Sequence, residues 1–431
     1  MIFLRRNNRS NGNRRNFISV DDTKKLTSIL IKLIIILSIA FFIVVIFNIT
    51  KNWLNYKKTI DIANQEINET NISENVSSNA SSAPKITDTT FTLTALGDIM
   101  CHNTQYLDAY NSSTDSYNFS YIFDDISYYI QNSNISIANL ETSFAGKDKG
   151  YSNYPRFNTP DSLAYNLKKL GLDVIATANS HSLDYGFEGL SRTLDVLESA
   201  DVSHVGTNKT QEAQDTVLIK YVKGIKLAFV NYTCNTTNLA IPSDKGFCIN
   251  TSNKDLIKKQ LDRAKSQNAD IIIAYMNWGD EYTTSVNSTQ TELSDFLFKN
   301  GVDIILGSHP HVLQKMEKKT VTLEDGSSKD GFIIYSLGNF ISDQNLKNTR
   351  TSIILTLTIT KHTSGNISID KVDYVPIYMY ENNAVNDKKM KLLDINKTVS
   401  LYNKGIDTSI GDNMFNFLTA ELNRISKVLY Y

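Results

Sequence analysis

Val302-Asp303-Ile304-Ile305-Leu306-Gly307-Ser308-His309-Pro310-His311 is an apolar, β-branched run that halts at Gly-Ser and then presents two imidazoles. Such a run reads as a buried strand, with His309 and His311 in the loop beyond its carboxyl end. Open α/β sheets keep their binding sites at that edge. Pro310 fixes φ between the two histidines and biases His309 towards an extended backbone, which predicts two rings held apart on a stiff loop.

Working outward, other apolar runs end in groups of the same chemical kind. The run 91–96 leads into Gly97-Asp98, 134–138 into Asn139-Leu-Glu141, and 173–178 into Asn179-Ser-His181. The run 271–275 leads into Asn277 and, beyond it, Glu281-Tyr282, while 332–336 leads towards Asn339. Helical spacing predicts helices over 121–131, 163–170 with Gly171 as its cap, 187–199, 253–266 and 290–300. Strands alternating with helices mean βαβ units and a largely parallel sheet. From 351 to 378 the runs alternate without helices, so antiparallel strands are expected to close the domain, with a terminal helix over 414–428.

A parallel sheet gathers its strand ends on one edge, which brings scattered donors together. Asp98, Glu141, Asn179, His181, Asn277, His309 and His311 are the candidate metal ligands, because carboxylates, imidazoles and amide oxygens suit borderline divalent ions such as manganese, zinc or iron. His102, Glu281 and His309 are the candidates for proton transfer beside them. A cation held there would bring the pKa of a coordinated water from about 15.7 to about 7, the chemistry of a metal-dependent hydrolase. The loop at 179–186 precedes a helix, whose N-terminal end favours anions. His204 and His362 read as solvent-facing loop residues.

At 431 residues the chain has room for one large domain or two ordinary ones. A formal net charge of -1 argues against nucleic acid as a partner. Cys101, Cys234 and Cys248 are odd in number and lack CxxC spacing, so no disulfide framework or zinc knuckle is indicated, and pairing of Cys234 with Cys248 stays open.

The segment 29–48 is an apolar run that would span roughly 28 Å as a helix, about the hydrocarbon thickness. Arg5, Arg6, Arg9, Arg14, Arg15, Lys24 and Lys25 precede it, so the positive-inside bias places the tail 1–28 in the cytoplasm and the bulk of the chain outside. No small-x-small site follows, which predicts an uncleaved anchor in the lipid bilayer. Residues 49–90 shift to Asn, Ser, Thr and Glu and read as a flexible tether. A globular domain is expected over 91–380 and a helical extension over 381–431.

Taken together, Gly97-Asp-Ile-Met-Cys-His102, Asn139-Leu-Glu141, Pro155-Arg-Phe-Asn-Thr-Pro160, Ala178-Asn-Ser-His-Ser-Leu-Asp-Tyr-Gly186, Trp278-Gly-Asp-Glu-Tyr282, Gly307-Ser-His-Pro-His-Val-Leu-Gln314 and Tyr335-Ser-Leu-Gly-Asn-Phe340 resemble the CapA/PgsA capsule (poly-gamma-glutamate) biosynthesis family. That family looks like a branch of the calcineurin-like metallophosphoesterases. The resemblance implies a four-layer α/β/β/α sandwich with metal ligands at strand ends. It also implies a membrane-anchored protein, active outside the cell in making or exporting an anionic polyglutamate beside capsule synthase and export subunits. An exported hydrolase of another surface polymer is the alternative. Departures from the phosphoesterase pattern fall at Met100, where a histidine is usual, at Ser180, where an asparagine is usual, and at Asn277, where a histidine is usual.

Overall fold

The computed structural model describes residues 87–430 apart from 237, 238, 386, 387 and 408, together with Lys32. The expected tail 1–28, the rest of the expected anchor 29–48 and the tether up to residue 86 lie outside those residues. Among the described residues no helix is long and apolar enough to cross a membrane. The tether was expected to reach residue 90, but the first strand already begins at Thr89. Thr89 and Thr90 are recruited by their pairing to Lys361 and Thr360, a partnership that local composition does not announce.

Two sheets carry the fold. The first runs β16 (Met390–Asp394), β15 (Ile367–Glu381), β14 (Thr351–Lys361), β1 (Thr89–Ile99), β4 (Ile135–Leu140), β5 (Val174–Ala176) and β6 (Ser203–Val205), with β13 (Asn339–Ile341) beside the end of β1. The second runs β11 (Met316–Thr322), β12 (Ser328–Ile334), β10 (Ile304–Ser308), β9 (Ile271–Asn277), β8 (Ile225–Thr233) and β7 (Leu218–Val222). A separate two-residue ribbon pairs β2 (Tyr110–Asn111) with β3 (Ser116–Tyr117). In the first sheet β1, β4, β5 and β6 are parallel, and β14, β15 and β16 continue antiparallel, as the alternating run from 351 predicts. In the second, β8, β9, β10 and β12 are parallel between antiparallel edges.

The side-chain period of two along each strand divides the core into three layers. Phe91, Leu93 and Ala95 of β1 face Leu227, Phe229, Ile273, Tyr275, Ile304 and Leu306 of the other sheet. The outer face of the first sheet packs on the helices Ser162–Leu170 and Gly186–Ser199 through Leu163, Leu167, Leu190, Leu194 and Leu197. The outer face of the second packs on Lys254–Ser266 and Ser288–Lys299 through Ile257, Leu261, Leu297 and Phe298. The layering is therefore helix, sheet, sheet, helix.

Local chemistry explains the helix ends. Asn253 and Asn287 cap the helices that follow them with their side-chain oxygens, and Gly171 takes the left-handed cap at φ 105°. The helix expected over 121–131 is instead a 3-10 turn at Ser120–Phe123 and a short helix at Ser127–Gln131. The Ile126 N–H turns back to Phe123 and interrupts the ladder. Residues 381–431 carry β16 and the helices Ile395–Asn403 and Asp412–Leu429, and Leu418, Ile425 and Leu429 of the last helix enter the inter-sheet core. His204, expected in a loop, lies on the edge strand β6 with Nε2 3.1 Å from Glu198. His362 just follows β14, bonded to Asp88.

Candidate metal centre

Both parallel cores point their carboxyl ends the same way, and the two edges meet. Asp98 at the end of β1 is in register with Asn139 of β4 and Asn339 of β13, and Asn277 of β9 with Ser308 of β10. The Tyr275 phenol crosses between the sheets to donate to the Leu96 carbonyl at 2.8 Å. Asn231 likewise bridges, its amide donating to the Ala178 and Tyr275 carbonyls and its oxygen accepting from the Ala178 N–H.

Glu141, His309 and His311 are all buried, and each can offer one ligand atom such that these atoms lie within 4.8 Å of one another. Around them the carboxylates are tightly braced. Asn139 donates from Nδ2 to Asp98 Oδ1 at 2.8 Å and to Glu141 Oε2 at 2.9 Å. Ser180, a poor ligand by chemistry, donates its hydroxyl to Glu141 Oε1 at 2.6 Å. The position that departs from the phosphoesterase pattern thus holds a carboxylate in place.

His311 Nδ1 lies 3.0 Å from Asp98 Oδ2 and 3.1 Å from Asn339 Oδ1, which commits that nitrogen and turns the other towards the cluster. Burial works against its protonated form, but the hydrogen bond to Asp98 and the charges of Glu141, Asp98 and Glu281 outweigh it and hold the ring up at about 9. His309 is pushed the opposite way, chiefly by burial, below the ordinary histidine range. Its Nδ1 is buried without a hydrogen-bond partner. A buried polar atom without a partner calls for an explanation, and a ring nitrogen among other donors finds one as a metal ligand. Pro310 does not make His309 extended: φ is +92° at His309 and +57° at His311, and the His309 N–H turns in towards Asp98 Oδ2 at 3.4 Å. The ring centroids of His309 and His311 stand 5.9 Å apart.

His181 lies near enough to His309 for its charge to be felt there. Its Nδ1 is 2.9 Å from Asp184 Oδ2, a second buried carboxylate–imidazole pair. Phe157 stands between His181 at 4.8 Å and His102 at 5.1 Å, making an edge-to-face contact with each. Burial pushes His102 below the ordinary range, and its Nδ1 lies 3.1 Å from both the Met100 oxygen and the Asp343 backbone nitrogen. Asn179 and Asn277 already accept at their amide oxygens, from the His181 N–H at 3.1 Å and from Thr233 Oγ1 at 2.9 Å. Asn277 Nδ2 reaches Glu141 only at 3.5 Å. Glu281 is exposed on the rim. Glu141, His309 and His311 therefore converge, with Asp98 bonded to His311 and His181 near His309, while His102 stands behind Phe157 and Asn179 and Asn277 keep hydrogen bonds to their own neighbours. The role of Asp184 was not read from the sequence, although its place three residues after His181 was a usable signal.

A family model described as bacterial capsule synthesis protein PGA_cap matches residues 92–344, which contain every group named at this site. The chain belongs to that family. Among PGA_cap relatives, it is 29% identical over 275 residues to the capsule biosynthesis protein CapA of Bacillus anthracis, across 61% of this chain and 62% of that protein. It is 30% identical over 215 residues to the PGA biosynthesis protein CapA of Bacillus subtilis (strain 168), across 48% of this chain and 52% of that one. The matched stretches thus span under two thirds of one relative and about half of the other. Among solved structures, this PGA_cap chain is similar to the NAD nucleotidase NadN of Haemophilus influenzae, at 12% identity and TM-score 0.43 over 79% of this chain and 61% of that one. A putative 5'-nucleotidase from Staphylococcus aureus gives 14% identity and TM-score 0.44 over 70% and 57%.

Proposed function

We propose that this protein serves the synthesis or export of an anionic capsule polymer, of the poly-gamma-glutamate type, through a divalent cation held by Glu141, His309 and His311. The observation that carries the proposal is the buried, unpartnered Nδ1 of His309 within a three-residue donor cluster. Family membership supplies the capsule context. The mixed imidazole and carboxylate set suits manganese, zinc or iron. Such a cation supplies Lewis-acid polarisation and neutralises the charge of an anionic ligand.

The chain's own residues then have definite tasks. Asp98 and Asn339 orient His311, Asn139 and Ser180 fix Glu141, and Asp184 orients His181 with its Nδ1 engaged. His102 and Glu281 stand at the periphery as proton carriers, one buried and one on the rim. The segment 29–48 anchors the protein in the membrane with the sandwich outside, beside synthase and export subunits, as its hydropathy and flanking charges support. A second reading, a metal-dependent hydrolase of the metallophosphoesterase type acting on another surface polymer, draws on the layered sandwich and on the buried His181–Asp184 pair.

Metal analysis of the full-length protein in detergent, with a capsule assay in cells carrying the same variants, tests the proposal. Near-stoichiometric metal that is lost in His309→Ala together with polymer yield is the expected result. A metal-free protein, or full yield from Glu141→Gln and His309→Ala cells, overturns it. Turnover of a phosphodiester by the purified chain with normal polymer yield in those variants selects the hydrolase.

A further inference from the structure

Tyr282 is joined to the donor cluster by two independent routes. Its backbone N–H donates to the Pro310 carbonyl at 2.8 Å, which ties it to the loop carrying His309 and His311. This holds a bulky side chain at φ +62°, a region such residues seldom adopt without a compensating interaction. The second route runs through side chains. His311 Nδ1 meets Asn339 Oδ1 at 3.1 Å, Asn339 Nδ2 donates to Gln344 Oε1 at 2.9 Å, and Gln344 Nε2 donates to the Tyr282 phenol oxygen at 3.3 Å. The ring lies 6.1 Å from that of His311, tilted by 40°, and is 40% exposed. A partly exposed aromatic fixed beside a buried donor cluster by this many restraints contributes little to the core.

We propose that Tyr282 contacts the ligand of this site, donating its phenol O–H to an anionic oxygen, phosphoryl or carboxyl, bound over His311. The inference rests on the reading of the cluster as an anion-binding metal centre. Gln344 donates to the phenol oxygen, and the O–H has the Glu281 carboxylate beside it as its acceptor, an acceptor that the anion bound over His311 would replace. A hydrogen bond to a charged acceptor is about twice as strong as a neutral one, so this contact favours anions over neutral groups. Gln344 and Asn339 act through Tyr282 and His311 as positioning residues.

The test titrates full-length protein in detergent, manganese-loaded and chelator-treated, with inorganic phosphate and with a γ-linked glutamate oligomer. Wild type, Tyr282→Phe and Gln344→Ala are compared for anion affinity, manganese content and melting temperature. Tyr282→Phe keeps the ring and removes only the hydroxyl, so affinity for at least one anion is expected to fall about tenfold with manganese content and melting temperature unchanged. Gln344→Ala is expected to give a smaller loss for the same anion. Which anion responds distinguishes phosphoryl from carboxyl recognition. Affinities that stay within twofold of wild type for both anions, or a wild-type protein that binds neither, overturn the inference. A protein that takes up no manganese, yet loses anion affinity in Tyr282→Phe, removes the metal reading and leaves this one standing.

Discussion

Asp98 and His311 form a buried pair, Oδ2 to Nδ1 at 3.0 Å, although 213 positions separate them in the chain. Each comes from a different sheet, so the pair exists only where the two carboxyl edges meet. The same Asp98 carboxylate is held from its other side by Asn139.

Replacing Asp98 with asparagine keeps the shape and one acceptor oxygen but removes the charge that orients and enriches the His311 ring. Metal affinity is expected to drop 10- to 100-fold, about the usual effect of losing such an outer partner, with secondary structure retained. Isothermal titration with manganese measures it, and unchanged affinity would show that Asp98 is structural alone.

His309→Ala separates function from stability. Because Nδ1 has no partner, its loss leaves no new orphan, and the metal-free protein should change by no more than about 1 kcal/mol. Saturation with metal at a hundredfold excess over its dissociation constant adds about 2.7 kcal/mol to wild type. Calorimetry with and without manganese should therefore show nearly equal metal-free melts and a metal-induced rise in wild type only.

Gly97 lies where β1 passes the turn before β13. A Cβ there would sit 1.8 Å from the Gly338 carbonyl oxygen, the same oxygen that accepts from the Asp98 N–H at 2.9 Å. Gly97→Ala is expected to cost about 3 kcal/mol or more, since backbone must move. Gly246→Ala, with open space around it, is the control and should stay within about 0.5 kcal/mol in denaturant unfolding.

Thiol chemistry should sort the cysteines, all three of which are free. Burial raises Cys101 to about 12 and Cys248 to about 11, so neither forms appreciable thiolate at pH 8 and both are shielded. Cys234 is solvent-exposed. Iodoacetamide on the native protein at pH 8 should modify Cys234 first, and all three only after unfolding; mass spectrometry of the peptides decides it.

Much of the site was legible because strand ends are written locally. Apolar runs that stop at Asp98, Glu141, His181 and His309 announce their sheet edge, and Asn253 and Gly171 announce helix ends. What a residue spends its polar atoms on is not local. Asn277, expected as a ligand, also accepts from Thr233 of the neighbouring strand, a partner that its own run does not announce. Ser180 reads as a defect until Glu141 arrives beside it. The His309 backbone likewise answers to Asp98 rather than to Pro310 alone. Short strands such as β6 and β16 owe their existence to a neighbour's unpaired edge, and their own composition carries little trace of it.

Phe91 and Leu429 lie in one and the same inter-sheet core, and Thr94 of β1 meets Thr356 of β14 only 262 positions later. During synthesis, then, the first of the described strands waits unpaired on one side until β14 has been made. Its apolar face is a standing invitation to aggregation until the last helix has emerged. Folding of the described domain is thus a collective event, in which its earliest strand is completed only by segments made far later.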